Sequence, residues 1–318
     1  MGKKQKTKVG IVQMSPVWLD QKRTLEKVLR YIGKAKKAGC SLVTFGEAMV
    51  PGYPFWVELT DGAKFESAVQ KELYAYYVQQ AISVEQGDLE DVCTAARKHQ
   101  VEVVLGTIEK ASDRGGHSCY CSLIYIDKAG EVRNVHRKTM PTYEERLVWA
   151  TGDGHGLRTF PHEAFTLGAL NCWENWMPLS RAALYGQGEN LHVALWPGSV
   201  RNTVDLTRFI AKESRSYVIS VCGLMKRSDI PDSVPYAKLI RKHAPKVMAN
   251  GGSCIAGPNG AFLIAPLKNK EQLLVAEIDY TEVLKERQNF DVAGHYSRPD
   301  VTRLTVNRER QSIVDLKD

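Results

Sequence analysis

Lys8-Val-Gly-Ile-Val-Gln-Met14, the stretch Gln21 to Lys37, and Ser41-Leu-Val-Thr-Phe45 together decide the fold. The first run is apolar enough to be a buried strand. In the second, Leu25, Val28, Leu29, Ile32 and Ala35 recur at helical spacing on one face, and the third is again a short apolar run. Strand, helix, strand is a βαβ opening, and the same alternation continues outward along the chain. Further strands are predicted at Val101 to Ile108, Ser122 to Ile126, Glu131 to Val135, Thr166 to Asn171, Leu191 to Trp196, Tyr217 to Val221, Ser253 to Ala256, Ala261 to Ile264 and Leu273 to Ile278. Helices are predicted at Ala68 to Ser83, Leu89 to Lys98, Ser180 to Gly186, Leu206 to Tyr217 and Tyr280 to Arg287. Elements alternating in this way give an α/β layered fold. No repeat of short period and no Pro, Gly or Ser-rich linker interrupts them, so residues 1 to 318 are expected to form one domain with a looped C-terminal tail from about Asn289.

Composition narrows the function classes. With 43% apolar and 25% charged residues among 318, the chain is an ordinary globular protein with material for a sizeable core. Lys and Arg exceed Asp and Glu by 43 to 36, but part of that excess sits in the opening Met1 to Lys6 run. No element clusters basic residues with aromatics, which speaks against a nucleic-acid partner. Seven cysteines, an odd and sparse set among apolar neighbours, predict reduced thiols and a cytoplasmic protein. Cys119-Tyr120-Cys121 puts both thiols on one side of a strand and lacks the spacing of a zinc knuckle, so no metal is expected. No apolar run is long enough for a signal peptide or a bilayer span, and no membrane partner is expected.

Three strand ends carry candidate chemistry. Glu47 ends Ser41-Leu-Val-Thr-Phe-Gly-Glu47 and precedes Val50-Pro-Gly-Tyr-Pro54, a rigid loop able to present a carboxylate. Glutamates before loops are usually solvated surface, so this residue alone carries little. Lys138 follows the strand ending at Val135 and leads through the charged stretch Thr139 to Arg146 into Leu147 to Gly154, a long apolar and glycine loop that suggests a lined pocket. Cys172 closes Thr166 to Asn171 and opens Trp173-Glu-Asn-Trp-Met-Pro178. A thiol at a strand-to-helix turn is poised as a nucleophile because backbone N–H groups there favour a thiolate and a nearby oxyanion. A buried core thiol is the commoner fate of cysteine and stays open on these residues alone.

Taken together, FGEAMVPGYPFW (Phe45 to Trp56), HRKTMPTYEERLVWATGDG (His136 to Gly154) and NCWENWMPL (Asn171 to Leu179) resemble the three motif blocks of the nitrilase superfamily, in its order and with its spacing. The similarity runs from Val9 to about Leu304 and includes VAGHYSRPD (Val292 to Asp300). By motif position Glu47 corresponds to the family's general base, Lys138 to its transition-state-stabilising lysine, Glu145 to its additional glutamate and Cys172 to its nucleophile. Two departures stand out: Gly46 where proline is usual before the glutamate, and Ala150 where glycine usually follows the tryptophan. Gly46 is expected to loosen the turn that aims Glu47. Glu145 precedes Arg146, so a surface ion pair is the competing account of it.

Superfamily amidases commonly continue Cys-Tyr-Asp, whereas this chain continues Cys172-Trp173-Glu174-Asn175, which is similar to the nitrilase branch. The resemblance implies an αββα four-layer sandwich, a homodimer formed through outer helices and extending into spiral homo-oligomers, and no metal or organic cofactor. It implies hydrolysis of a small-molecule nitrile through a cysteine thioimidate and thioester. Tyr53, Trp149, Trp173 and Trp196 lie in or beside the motif segments and are the expected pocket lining, with core packing the competing account of each. An aliphatic amidase or cyanide-hydrolysing enzyme is the alternative within the superfamily; a catalytically silent assembly scaffold is the alternative outside it.

Overall fold

The computed structural model describes residues 4 to 314. Strands β1 (Lys6–Gln13), β2 (Leu42–Phe45), β3 (Glu102–Lys110), β4 (Cys119–Ile126) and β5 (Val132–Arg137) occupy the first part of the chain. The second part supplies β6 (Phe160–His162), β7 (Phe165–Asn171), β8 (Leu191–Trp196), β9 (Tyr217–Cys222), β10 (Leu224–Lys226), β11 (Val247–Ala256), β12 (Phe262–Lys268) and β13 (Gln272–Asp279). One sheet runs β13-β1-β2-β3-β4-β5; the other runs β10-β11-β9-β8-β7-β6, with β12 beside β11. Both sheets are mixed: β1, β2 and β3 are parallel in the first, β7, β8 and β9 in the second. The opening stretch is the βαβ unit its pattern predicts, with helix Gln21–Lys37 between paired β1 and β2.

Strand parity builds the layers, because successive side chains leave a strand on opposite faces. Val9 and Ile11 of β1, Val104 of β3, and Leu191, Val193 and Leu195 of β8 form the core between the sheets. Val12, Val43 and Val103 face outward onto Val28 and Ile32 of helix Gln21–Lys37 and Val92 of helix Glu90–His99. Ala194, Trp196 and Val218 face outward on the other side, onto Ile210 and Ala211 of helix Leu206–Ser214. The result is helix, sheet, sheet, helix, the αββα sandwich.

Boundaries differ from expectation where a local cap outweighs periodicity. The helix beginning at Leu206 stops at Ser214 because Arg215 takes a left-handed φ of 51°, and Tyr217 starts β9 instead. Helix Ala68–Gln79 ends before Ser83, and Ile82 bonds across to β3. Pro178 starts the helix after Cys172 two residues early, a position where its missing N–H costs nothing. The short helix Ala237–His243 and strands β6 and β10 carry too few residues to show a period. After helix Tyr280–Arg287 the tail carries no helix or strand up to residue 314, but it is tied back. Arg310 donates to Asp153 at 3.0 Å and to the Val135 carbonyl at 2.9 Å, and the Gln311 N–H donates to Asp153.

Candidate active site

Glu47, Lys138 and Cys172 follow the C-terminal ends of β2, β5 and β7, and the sandwich brings these three ends together. Each turn is shaped by close backbone packing. Gly106 of β3 lies under the Glu47 turn, where a Cβ would sit 2.1 Å from the Gly46 carbonyl oxygen. Gly46 is itself wedged: a Cβ there would meet the Gly223 nitrogen and Trp196 carbonyl at 3.0 Å. The Glu47 N–H donates to that same Trp196 carbonyl at 3.2 Å. Gly46 therefore does not loosen the turn; the lack of a side chain lets the two sheets close around it. Past Lys138, Gly152 presses on the Arg137 and Lys138 backbone and Gly156 on His136, so the glycine-rich loop is folded flat against β5. Ala150 sits in that loop with its N–H on the Cys119 carbonyl.

The side chains form one buried cluster. The Lys138 ammonium lies 2.9 Å from Glu47 Oε1 and 2.7 Å from Glu145 Oε2, and all three are nearly inaccessible. Carboxylate oxygens of Glu47 and Glu145 and the Cys172 sulfur fall within 4.8 Å of one another. Such a donor set could hold a cation, and Lys138 already puts one between the two carboxylates. Glu145 also accepts the Thr142 N–H at 2.6 Å and the Tyr53 hydroxyl at 2.9 Å, so it is no surface partner of Arg146. Glu47 Oε2 has no hydrogen-bond partner among the described residues. Cys172 adopts a left-handed φ of 41°, a conformation costing a non-glycine residue about 1 kcal/mol, which lifts the thiol out of the strand line.

Electrostatics follow from burial. Loss of water pushes the Glu47 carboxyl up to about 7, with Lys138 opposing the shift and Glu145 adding to it. Burial, then Glu47, holds the Cys172 thiol well above the usual range, while the Trp173 backbone N–H facing the sulfur works the other way. Burial works against the Lys138 charge, but Glu47, Cys172 and Glu145 outweigh it and keep the ammonium firmly protonated. At neutral pH the arrangement is thus an ammonium, a protonated thiol and a carboxylate balanced between its two states. It can transfer the thiol proton during attack rather than store a thiolate.

The expected lining separates into two pairs. Trp149 is buried with its ring centroid 5.4 Å from the Lys138 ammonium, and Tyr53 packs edge-on against it at 5.5 Å. Trp196 is corrected: strand parity turns its side chain outward into the helix layer, in the buried cluster that also holds Cys172, where its indole donates to Ser220, and its carbonyl accepts the Glu47 N–H. The Trp173 side chain is 49% exposed and lines a separate, open surface cavity with Tyr143, Trp176 and Met177. A narrow cavity of about 10 Å³ lies against Glu47, lined by Tyr53, Phe55, Pro197 and Met225 among others. Cys121, expected to be structural, points its thiol at Glu47 Oε1 at 3.6 Å. All seven cysteines are free, and among the described residues no helix is long and apolar enough to cross a membrane.

Comparison with known proteins gives the family and the fold. The carbon-nitrogen hydrolase family pattern matches residues 8 to 286. An aliphatic nitrilase of Sinorhizobium fredii (strain HH103) is 34% identical over 309 residues, covering 97% of this chain and 98% of the relative. Nitrilase 2 of Arabidopsis thaliana is 36% identical over 307 residues, covering 96% and 89%. Among solved structures, a carbon-nitrogen hydrolase from Helicobacter pylori G27 superposes with a TM-score of 0.67 at 20% identity, covering 90% of this chain and 93% of that one.

Proposed function

The chain belongs to the nitrilase branch of the carbon-nitrogen hydrolase family, and from that premise we propose that it converts an organic nitrile to the carboxylic acid and ammonia through covalent Cys172 intermediates. The observation that carries this reading is the Lys138 ammonium held between Glu47 and Glu145 with the Cys172 sulfur beside them. A nitrile carbon is a weak electrophile, so attack needs sulfur freed of its proton at the moment of contact. Glu47 takes that proton and passes it to the nitrile nitrogen, leaving a thioimidate on Cys172. Lys138 and the Trp173 N–H stabilise the negative charge that develops, each worth about 3 kcal/mol in sites of this kind. Water then adds to the thioimidate carbon with Glu47 as base, the nitrogen leaves protonated as ammonia, and a thioester remains. A second water, deprotonated by Glu47, releases the acid and restores the thiol. Glu145 holds Lys138 in place.

Tyr53 and Trp149 shape the substrate side. We take residues 1 to 318 as one catalytic domain, and the free thiols support a cytoplasmic setting. Exposed Trp176, Met177 and Leu179 at the start of the helix following Cys172 support burial against a second copy, as in a homodimer that extends into larger or spiral assemblies.

A panel of nitriles and amides scored for ammonia, acid and amide tests the reading. The expected result is acid in excess of amide from the preferred nitrile, an acyl adduct on Cys172 in a stalled reaction, and no turnover by folded Cys172→Ala. Amide hydrolysis with no nitrile turnover would move the enzyme to the amidase side of the superfamily. Active, folded Cys172→Ala would end the cysteine mechanism.

A further inference from the structure

Two residues beyond the nucleophile stands a second buried carboxylate that the steps above do not use. Glu174 is fully inaccessible. Its Oε1 accepts the Thr139 N–H and the Thr139 hydroxyl, both at 2.7 Å, and is 3.2 Å from His136 Nε2. Its Oε2 is 2.9 Å from His136 Nε2 and accepts the Asn171 N–H at 3.0 Å. These donors are not scattered. His136 and Thr139 flank Lys138 on either side, and Asn171 immediately precedes Cys172. We propose that Glu174 is a positioning residue that sets the distance between Lys138 and Cys172, by binding the His136 imidazole on one side of the lysine, the Thr139 backbone on the other, and the turn that carries the thiol. The proposal rests on the roles given above to those two residues.

The chemistry of the carboxylate fits this task. Both oxygens meet main-chain or imidazole donors, so a glutamine in its place would aim an NH2 group at an N–H whichever way it turned. Burial works against the Glu174 charge, but His136 and the Thr139 donors outweigh it and hold the carboxyl near 2, so the fork stays fully accepting across any working pH. The turn has a separate support from behind: Asn175 Nδ2 donates to the Cys172 carbonyl at 2.8 Å, while its Oδ1 is 2.7 Å from His192 Nε2. Loss of Glu174 therefore leaves the Cys172 turn folded but no longer registered against Lys138.

Glu174→Gln and the milder Thr139→Val, which removes one hydroxyl and keeps the main-chain donor, test the proposal against wild type. The readouts are kcat and KM on the preferred nitrile, the rate of iodoacetamide alkylation at Cys172 followed by mass spectrometry, and Tm. Glu174→Gln is expected to lose about 100-fold in kcat with KM within about 3-fold, and to alkylate Cys172 at least about tenfold more slowly. Thr139→Val is expected to lose about 5-fold in kcat with Tm nearly unchanged. Wild-type kcat and alkylation rates in Thr139→Val and in folded Glu174→Gln overturn the proposal, as does a kcat loss that only follows Tm. If Glu174→Gln does not fold, Thr139→Val decides alone. Should wild type hydrolyse no nitrile, the proposed function fails, and the alkylation rates still decide the role of Glu174.

Discussion

Arg137 and Lys138 are neighbours in the chain, both are buried cations, and each faces two carboxylates, yet they sit in opposite kinds of site. The Arg137 guanidinium binds both oxygens of Glu109 and both of Asp113 and stacks over Tyr120 at 4.7 Å. Ser122 donates to the same Glu109, so the fork geometry leaves that cluster saturated. Around Lys138 a point charge is shared by two carboxylates, one Glu47 oxygen has no partner, and an unused thiol lies within reach. Burial of charge is common to the two. What separates a structural cluster from a reactive one is the hydrogen-bonding and proton-accepting capacity left over.

Substitutions that reverse the pair put the comparison at most risk. Lys138→Ala is expected to lower kcat by about three orders of magnitude or more while the protein stays folded. Arg137→Leu should instead destabilise by about 3–5 kcal/mol, because Glu109 is left buried and unpaired, with kcat per folded molecule close to wild type. Urea unfolding and turnover normalised to folded protein read the two effects. A large kcat loss without unfolding in Arg137→Leu would erase the distinction.

Glu145→Gln probes the same contrast with a smaller step. An isosteric amide keeps shape but removes the charge that holds the ammonium, and a fall in kcat of about 100-fold with Tm changed by only a few degrees is expected. A Tm loss without a kcat loss would place Glu145 with Arg137 on the structural side.

The spare capacity of Glu47 has a pH signature. Burial raises its carboxyl from an ordinary 4.5 to about 7, so kcat/KM is expected to climb through pH 5 to 7 and level off above about 8 as the base ionises. The sign for stability is opposite. A raised carboxyl favours the protonated form in the fold, so its contribution is complete below about pH 4.5 and is lost as pH rises through 7. Glu47→Gln should thus gain Tm relative to wild type between pH 5 and pH 8 while losing activity. A gain in the reverse direction would show that the ionised carboxylate is the favoured state.

Trp173→Ala should do least. Its indole is half exposed and its useful N–H belongs to the backbone, so stability should move by less than about 0.5 kcal/mol and KM by a few-fold at most. A kcat loss as large as that of Glu145→Gln would put the ring back in the pocket.

These residues also mark what the sequence made legible. Glu47, Lys138 and Cys172 stand out as candidates because each closes or follows a strand at a turn, but that position alone says little, and their roles come from the resemblance of the three motif blocks. The side chain of Trp196 lies away from its expected place although its parity is readable: Leu191, Val193 and Leu195 alternate with His192, Ala194 and Trp196, and the wholly aliphatic set faces the other sheet. Trp173 lies in a 3-10 turn of five residues, too short for any period to assign a face. Cys121 and Glu174 act through partners 74 and 38 residues away, and no spacing rule reaches across that distance. The layers are legible from periodicity, whereas the fine orientation of the site depends on contacts between sheets.

The pairing of β1 with β13 has a consequence for how a cell makes this protein. Gln13 pairs with Gln272 and Lys6 with Asp279, so β1 is made long before its outer neighbour β13. Until β13 emerges that strand presents an unpaired edge, a template for pairing with other nascent chains. Arg310, arriving later still, completes the fastening of the loop beyond Lys138. Nascent chains of this enzyme therefore depend on being shielded until β13 emerges, and codon changes that slow translation just before β13 should reduce soluble yield more than the same delay placed before β2.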